Sequence, residues 1–161
     1  SLLANPNQIN YQIIHTSRGC TRKCKFCGTH IIEGDFPNKN LGQYMKVQKY
    51  DFLVKNSIIN EVMKYYPNQY KLIFFDNNLL YNHIHIEKIL NEIIDKNKEI
   101  SKQNRKKKEK LPQIVCESQS GFDGRVLLEK PHIAKLLKKA NFTNIRIAWD
   151  NELNEEKIIR S

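Results

Sequence analysis

The chain has 161 residues, the size of one ordinary domain, and its 40% apolar and 27% charged side chains exclude a disordered or fibrous polypeptide. No apolar run reaches the roughly 20 residues that a membrane-spanning helix needs, and Ser1-Leu2-Leu3-Ala4-Asn5-Pro6 lacks the basic lead and apolar core of a secretory signal. Lys and Arg number 27 against 17 Asp and Glu, and this net charge of +10 keeps nucleic acid among the candidate partners.

Tyr11 to His15 reads as a short strand and opens into a long connection that contains glycines and cysteines. Phe52 to Tyr66 carries Ile58, Ile59, Val62, Met63 and Tyr66 at the spacing of a helix face, and Pro67-Asn68 stops it. Lys71 to Phe75 is a nearly continuous apolar strand, as in a parallel sheet covered on both sides. A helix follows from His83 to Ile100, with Asn82 as its N-cap and Ile86, Ile89, Leu90, Ile93 and Ile94 along one side.

Residues 101–110 read as a basic loop. Lys102, Arg105, Lys106, Lys107, Lys108 and Lys110 against Glu109 concentrate half of the net charge there. Such a block is a solvated loop or a phosphate-contacting patch. Gln113 to Glu117 reads as a third strand, running out at Gly121. Pro131 suits the first turn of a helix that turns Ile133, Leu136, Leu137 and Ala140 inward. Ile145 to Trp149 makes a fourth strand, and a fourth helix opens at Asn151. The alternation predicts a single α/β domain with a parallel sheet.

In such sheets, function gathers at the carboxyl ends of the strands. That rule selects the segment after His15, Asp76-Asn77-Asn78, Glu117-Ser118-Gln119, and Asp150-Asn151. The first of these holds three of the four cysteines, within eight residues. A disulfide framework would space them for pairing, so a reducing, cytoplasmic setting and metal binding are expected. Cys20, Cys24 and Cys27 are spaced Cys-x3-Cys-x2-Cys, between Gly19 and Gly28 and among Arg18, Arg22, Lys23 and Lys25. One reading is a buried stripe of small side chains. A second is zinc, with a fourth ligand from Cys116, His15 or His30, although no second knuckle exists. A third is an iron–sulfur cluster with one iron left open.

The string Cys20-x3-Cys24-x-Phe26-Cys27, directly after the first strand of a β/α series, resembles the radical S-adenosylmethionine superfamily. With Ser17-Arg18-Gly19 before it and Lys25 within it, the segment also resembles members found beside cobalamin-binding domains. The resemblance implies a partial (β/α) barrel, of which this chain, a fragment or processed product without an initiator Met, holds the first four β/α units of six. It implies that Cys20, Cys24 and Cys27 ligate a 4Fe-4S cluster, whose fourth iron binds the amino and carboxylate groups of S-adenosylmethionine. Phe26 would place its backbone near the adenine. Asp76, Asn77 and Asn78 stand where the family holds the methionyl amine with a Gly-Gly-Glu-like segment, and both glycines are absent here. Glu117 and Asp150 stand where relatives bind the ribose or the methionyl group. A flavodoxin- or ferredoxin-like reductant is the implied partner, and the substrate is unspecified.

Cations around the thiols would lower their pKa values and steer an acidic electron donor. Cys116, inside an apolar strand, is expected to be an inert buried thiol, and His83 and His85 have no metal partner at useful spacing. Trp149 is expected in the core or a pocket wall, and the fourth strand as a partly uncovered edge. The rival reading is a nucleic-acid-binding module with structural zinc. A hybrid, a radical enzyme acting on RNA through the basic loop, uses both features.

Overall fold

A computed structural model describes residues 9–16, 20, 22, 24–29, 68–80, 83–106, 108 and 110–148. The expected helix over 52–66, the Asn82 cap, Trp149, Asp150 and the fourth helix lie outside the described residues.

Strands β1 (Tyr11–Ile14), β2 (Lys71–Phe74) and β3 (Val115–Ser118) form a parallel sheet in the order β1-β2-β3. The register pairs Ile14 with Phe74 and Phe74 with Ser118, so the three carboxyl ends lie level. Side chains alternate across the sheet. Ile14, Leu72, Phe74, Cys116 and Ser118 are buried on one face, whereas Tyr11, Ile13 and Phe75 of the other are exposed. The domain is therefore α/β with a parallel sheet, and among the described residues the sheet is open and does not close into a barrel.

Helix α1 (His83–Asn104) joins β2 to β3 and buries Ile86, Ile89, Leu90, Ile93 and Ile100 in the core shared with the sheet. It runs one turn past the expected end, so residues 101–104 are helical and the basic loop starts at Arg105. Two asparagines seven residues apart account for this extension. Asn104 donates to the Leu111 carbonyl and accepts from the Leu111 N–H, both at 2.8 Å. Asn97 makes the same pair of bonds to Ile114, at 3.0 and 2.7 Å. The side chain of α1 thus replaces a strand partner at Ile114, and β3 begins at Val115 rather than Gln113.

A short helix, α2 (Gly124–Glu129), was not expected from the sequence. Asp123 caps it by accepting from the Arg125 N–H at 3.2 Å. Helix α3 (Pro131–Lys139) starts with Pro131 in its first turn, as expected, and buries Ile133 and Leu137 against α1 and the sheet. In the described part of the expected fourth strand, 145–148, Ile147 forms a single parallel bridge to Phe122, and a second isolated bridge joins Cys116 to Phe142 ahead of it. Between them Asn144 has φ of 52°, and Asn141 before them has φ of 64°, so the chain kinks instead of running straight. Ile145 and Ile147 stay exposed, as an uncovered edge requires. Where this segment passes the end of β3, a Cβ on Gly121 would come within 2.8 Å of the Ala148 nitrogen. No described helix is long and apolar enough to cross a membrane.

Candidate functional site

The carboxyl edge of the sheet is held by polar ties. Phe75 donates its N–H to the Ile14 carbonyl and Gln119 to the Phe74 carbonyl, both at 2.9 Å. Asp76 is fully buried, and both of its oxygens accept from the Thr16 N–H, at 3.0 and 3.1 Å; Oδ1 also accepts from the Thr16 hydroxyl at 2.7 Å. Ser120 donates its hydroxyl to the Asp76 carbonyl. The His85 ring, from the first turns of α1, reaches the Thr16 carbonyl at 3.2 Å. A carbonyl only accepts, so Nε2 carries the proton. Burial lowers the His85 pKa and keeps the ring neutral, against the opposing pull of the Thr16 carbonyl and the Asp76 charge. Thr16, Asp76, Ser120 and His85 together root the start of the cysteine connection on all three strands and α1.

From this root the cysteines emerge half-buried and unpaired by disulfide. Cys27 donates its N–H to the Cys24 carbonyl at 3.0 Å, closing a turn that leaves Phe26 77% exposed. Cys20 Sγ receives the Arg22 N–H at 3.4 Å and the Asn78 side-chain amide at 3.6 Å, while Cys27 donates its thiol to Thr29 at 3.1 Å. Among the described residues no three His, Cys, Asp or Glu side chains stand close enough to share a metal ion, so the three sulfurs are not drawn together.

Arg22 anchors the loop from the other side. Its Nε donates to Asp123 Oδ2 at 2.8 Å, and Arg125 Nε donates to Oδ1 of the same carboxylate at 3.0 Å. Burial alone would raise the Asp123 pKa, but the two guanidiniums outweigh it and hold the carboxyl below the usual range. Asp123 is thus an N-cap and a clamp on the cysteine loop at once. It lies 101 positions from Arg22, and nothing local marks it beyond the Asp-Gly step.

The other expected site residues fall as follows. Asn78 is buried beside Cys20, and its Oδ1 has no hydrogen-bond partner. A buried carbonyl oxygen without a donor is costly, and it marks a place where a ligand donor fits. Asn77 is exposed at the same strand end. Glu117 lies on the open face of β3, and Lys71 at 3.1 Å with Arg146 at 4.0 Å keeps its carboxyl below the usual range, the Lys71 hydrogen bond leading. His15 packs edge-on against Phe75 with a ring-centroid distance of 5.9 Å, and its buried Nδ1 has no partner. Cys116 is fully buried, and burial pushes its thiol pKa up, so it stays protonated.

Three thiols in one loop at the carboxyl edge, one of them beside an orphaned acceptor, suit by their donor chemistry a thiophilic metal centre with a cationic ligand next to it. No protein family, curated protein or solved structure matches the chain.

Proposed function

We propose that this chain is the core of a radical S-adenosylmethionine enzyme, a partial (β/α) barrel in which Cys20, Cys24 and Cys27 hold a 4Fe-4S cluster. The carrying observation is the Cys-x3-Cys-x2-Cys loop leaving the carboxyl end of β1 in a parallel α/β sheet, with the free Asn78 Oδ1 beside Cys20. When bound, the cluster and cofactor supply the one-electron chemistry that cleaves a sulfonium carbon–sulfur bond.

The residues of the chain then divide the remaining work. Asp76, Asn77 and Asn78 face the methionyl amine as a strand-end group: Asn78 Oδ1 accepts from the ammonium, and Asp76 keeps the strand end in place through Thr16. Phe26 lends its backbone to the adenine. Glu117 and Asp150 serve the ribose or the methionyl group. Exposed Lys25, with the other cations of the loop, steers an acidic flavodoxin- or ferredoxin-like reductant.

Anaerobic reconstitution with iron and sulfide tests this reading. We expect a brown protein with the broad visible absorption of an iron–sulfur cluster, lost in Cys24→Ala and kept in Cys116→Ala. A colourless protein that binds zinc would replace it with the zinc module. Cluster loss in the Cys116 variant would overturn the ligand assignment.

A further inference from the structure

At the amino end of the sheet, away from the cysteines, α1 and α3 enclose a groove of about 650 Å3. On α1 the groove is lined from Asn91 onward, six residues or about 9 Å beyond His85 at 1.5 Å per residue, and its cations from Lys98 onward lie about 20 Å or more from His85, toward the other end of the helix. The floor is rigid. Asn97 holds both backbone groups of Ile114, and Asn141 donates its side-chain amide to the same carbonyl at 3.1 Å.

The rim is cationic. Lys98, Lys102, Arg105 and Lys139 line the groove, and among the described residues no acidic side chain does. Lys98 and Lys102 lie one turn apart on α1, and Arg105 follows just past its end. Lys98 pairs with Asp95 at 2.8 Å, whereas Lys102, Arg105 and Lys139 have no ion pair among the described residues. Cations in the last helical turn suit the helix dipole, which accounts for Lys102 and Lys139. It does not account for Arg105, which lies beyond the end of α1, or for exposed Lys106, Lys108 and Lys110, which continue the charge outward. A run of cations that continues from Lys102 and Arg105 out of the groove along the chain matches a repeating anion better than a single one.

We infer that this groove binds the phosphodiester backbone of a nucleic acid, with Lys102, Arg105 and Lys139 each neutralising a phosphate. Among the described residues no aromatic side chain lines it, so contact runs through the backbone without base stacking and is independent of base sequence. The site stands whether or not the cysteines hold a cluster.

Fluorescence anisotropy of the full chain with a labelled RNA duplex and a DNA duplex of the same sequence tests the inference. Three phosphate contacts give a slope of about −2.7 in log affinity against log salt, so affinity falls roughly 40-fold between about 50 and 200 mM salt. Each of Lys102→Gln, Arg105→Gln and Lys139→Gln is expected to reduce the slope by about 0.9, whereas Lys88→Gln on the far half of α1 leaves it unchanged. These exposed substitutions spare the fold, which circular dichroism verifies. Equal affinities identify a pure backbone reader, and tighter RNA binding adds contact with the 2′-hydroxyl. Absence of binding to either duplex at low salt would overturn the inference. So would a slope that the triple variant leaves unaltered, or binding confined to phosphatidylserine vesicles.

Discussion

Removing Arg22 should loosen the cysteine loop without unfolding the domain. Arg22 donates to Asp123 at 2.8 Å, and a charge-assisted bond of that length is worth about 1.5–3 kcal/mol when buried. The Arg22 side chain is 35% exposed, so solvent screening reduces the figure to roughly 1–1.5 kcal/mol. In Arg22→Ala, opening of the loop then becomes about five- to tenfold more populated, since 1.36 kcal/mol is a factor of ten. Alkylation of the reduced protein with iodoacetamide, read at each cysteine by mass spectrometry, reports this directly. Cys20 and Cys24 should react about five- to tenfold faster, and buried Cys116 serves as the internal reference. Asp123→Ala removes both guanidinium contacts and the α2 cap and should cost about 2–4 kcal/mol globally. The folded pKa of Asp123 is depressed, so its contribution is complete above the usual carboxylate value and is lost as pH falls through the folded one. Unchanged alkylation rates at Cys20 and Cys24 in Arg22→Ala would refute the clamp.

Three further substitutions probe the root of the loop and its edge. Thr16→Val keeps the shape but removes the hydroxyl bond to buried Asp76, and the urea midpoint should fall by an amount equivalent to about 1–3 kcal/mol with an unchanged m-value. His85 has a lowered folded pKa, so its stabilisation is complete above its ordinary value of 6.5 and declines as pH drops below it; His85→Gln should flatten that part of the stability profile. Gly121→Ala forces a Cβ to within 2.8 Å of the Ala148 backbone nitrogen, and thermal unfolding should show a loss of about 1–3 kcal/mol.

What could be read ahead of the structure followed apolar periodicity. The stripe at Ile86, Ile89, Leu90 and Ile93 marked α1, Pro131 marked the first turn of α3, and the apolar run at 71–75 marked β2. Helix α2 escaped because six residues are too few for a stripe, and its start depends on the Asp123 cap. The last turn of α1 escaped because Asn104 stabilises it through Leu111, a tertiary bond invisible to propensity. Asn141 and Asn144, whose left-handed backbones redirect the chain just before the apolar run that begins at Ile145, carried no signal in that run's periodicity. At the site, the Cys-x3-Cys-x2-Cys spacing was legible because the three cysteines are neighbours in sequence. The clamp was not, since Arg22 and Asp123 meet only after the strands align, and the same holds for the use of Asp76 by Thr16, 60 positions away.

That separation has a consequence for the order of folding. Among the described residues, Ile14 is the one buried apolar side chain before position 68; the rest of the core comes from 72 to 142. The segment from β2 to Phe142 can therefore collapse around its own local contacts, while β1 must first close a long loop at an entropic cost. Among the described residues its docking is secured by the polar bonds of Thr16, Gln12 and Gln69 as well as by Ile14, and Gln12 donates to the Gln69 carbonyl at 3.1 Å. Any group that the loop holds must then stabilise the docked strand by the same free energy with which docking favours the group, so loading and the final folding step form one equilibrium.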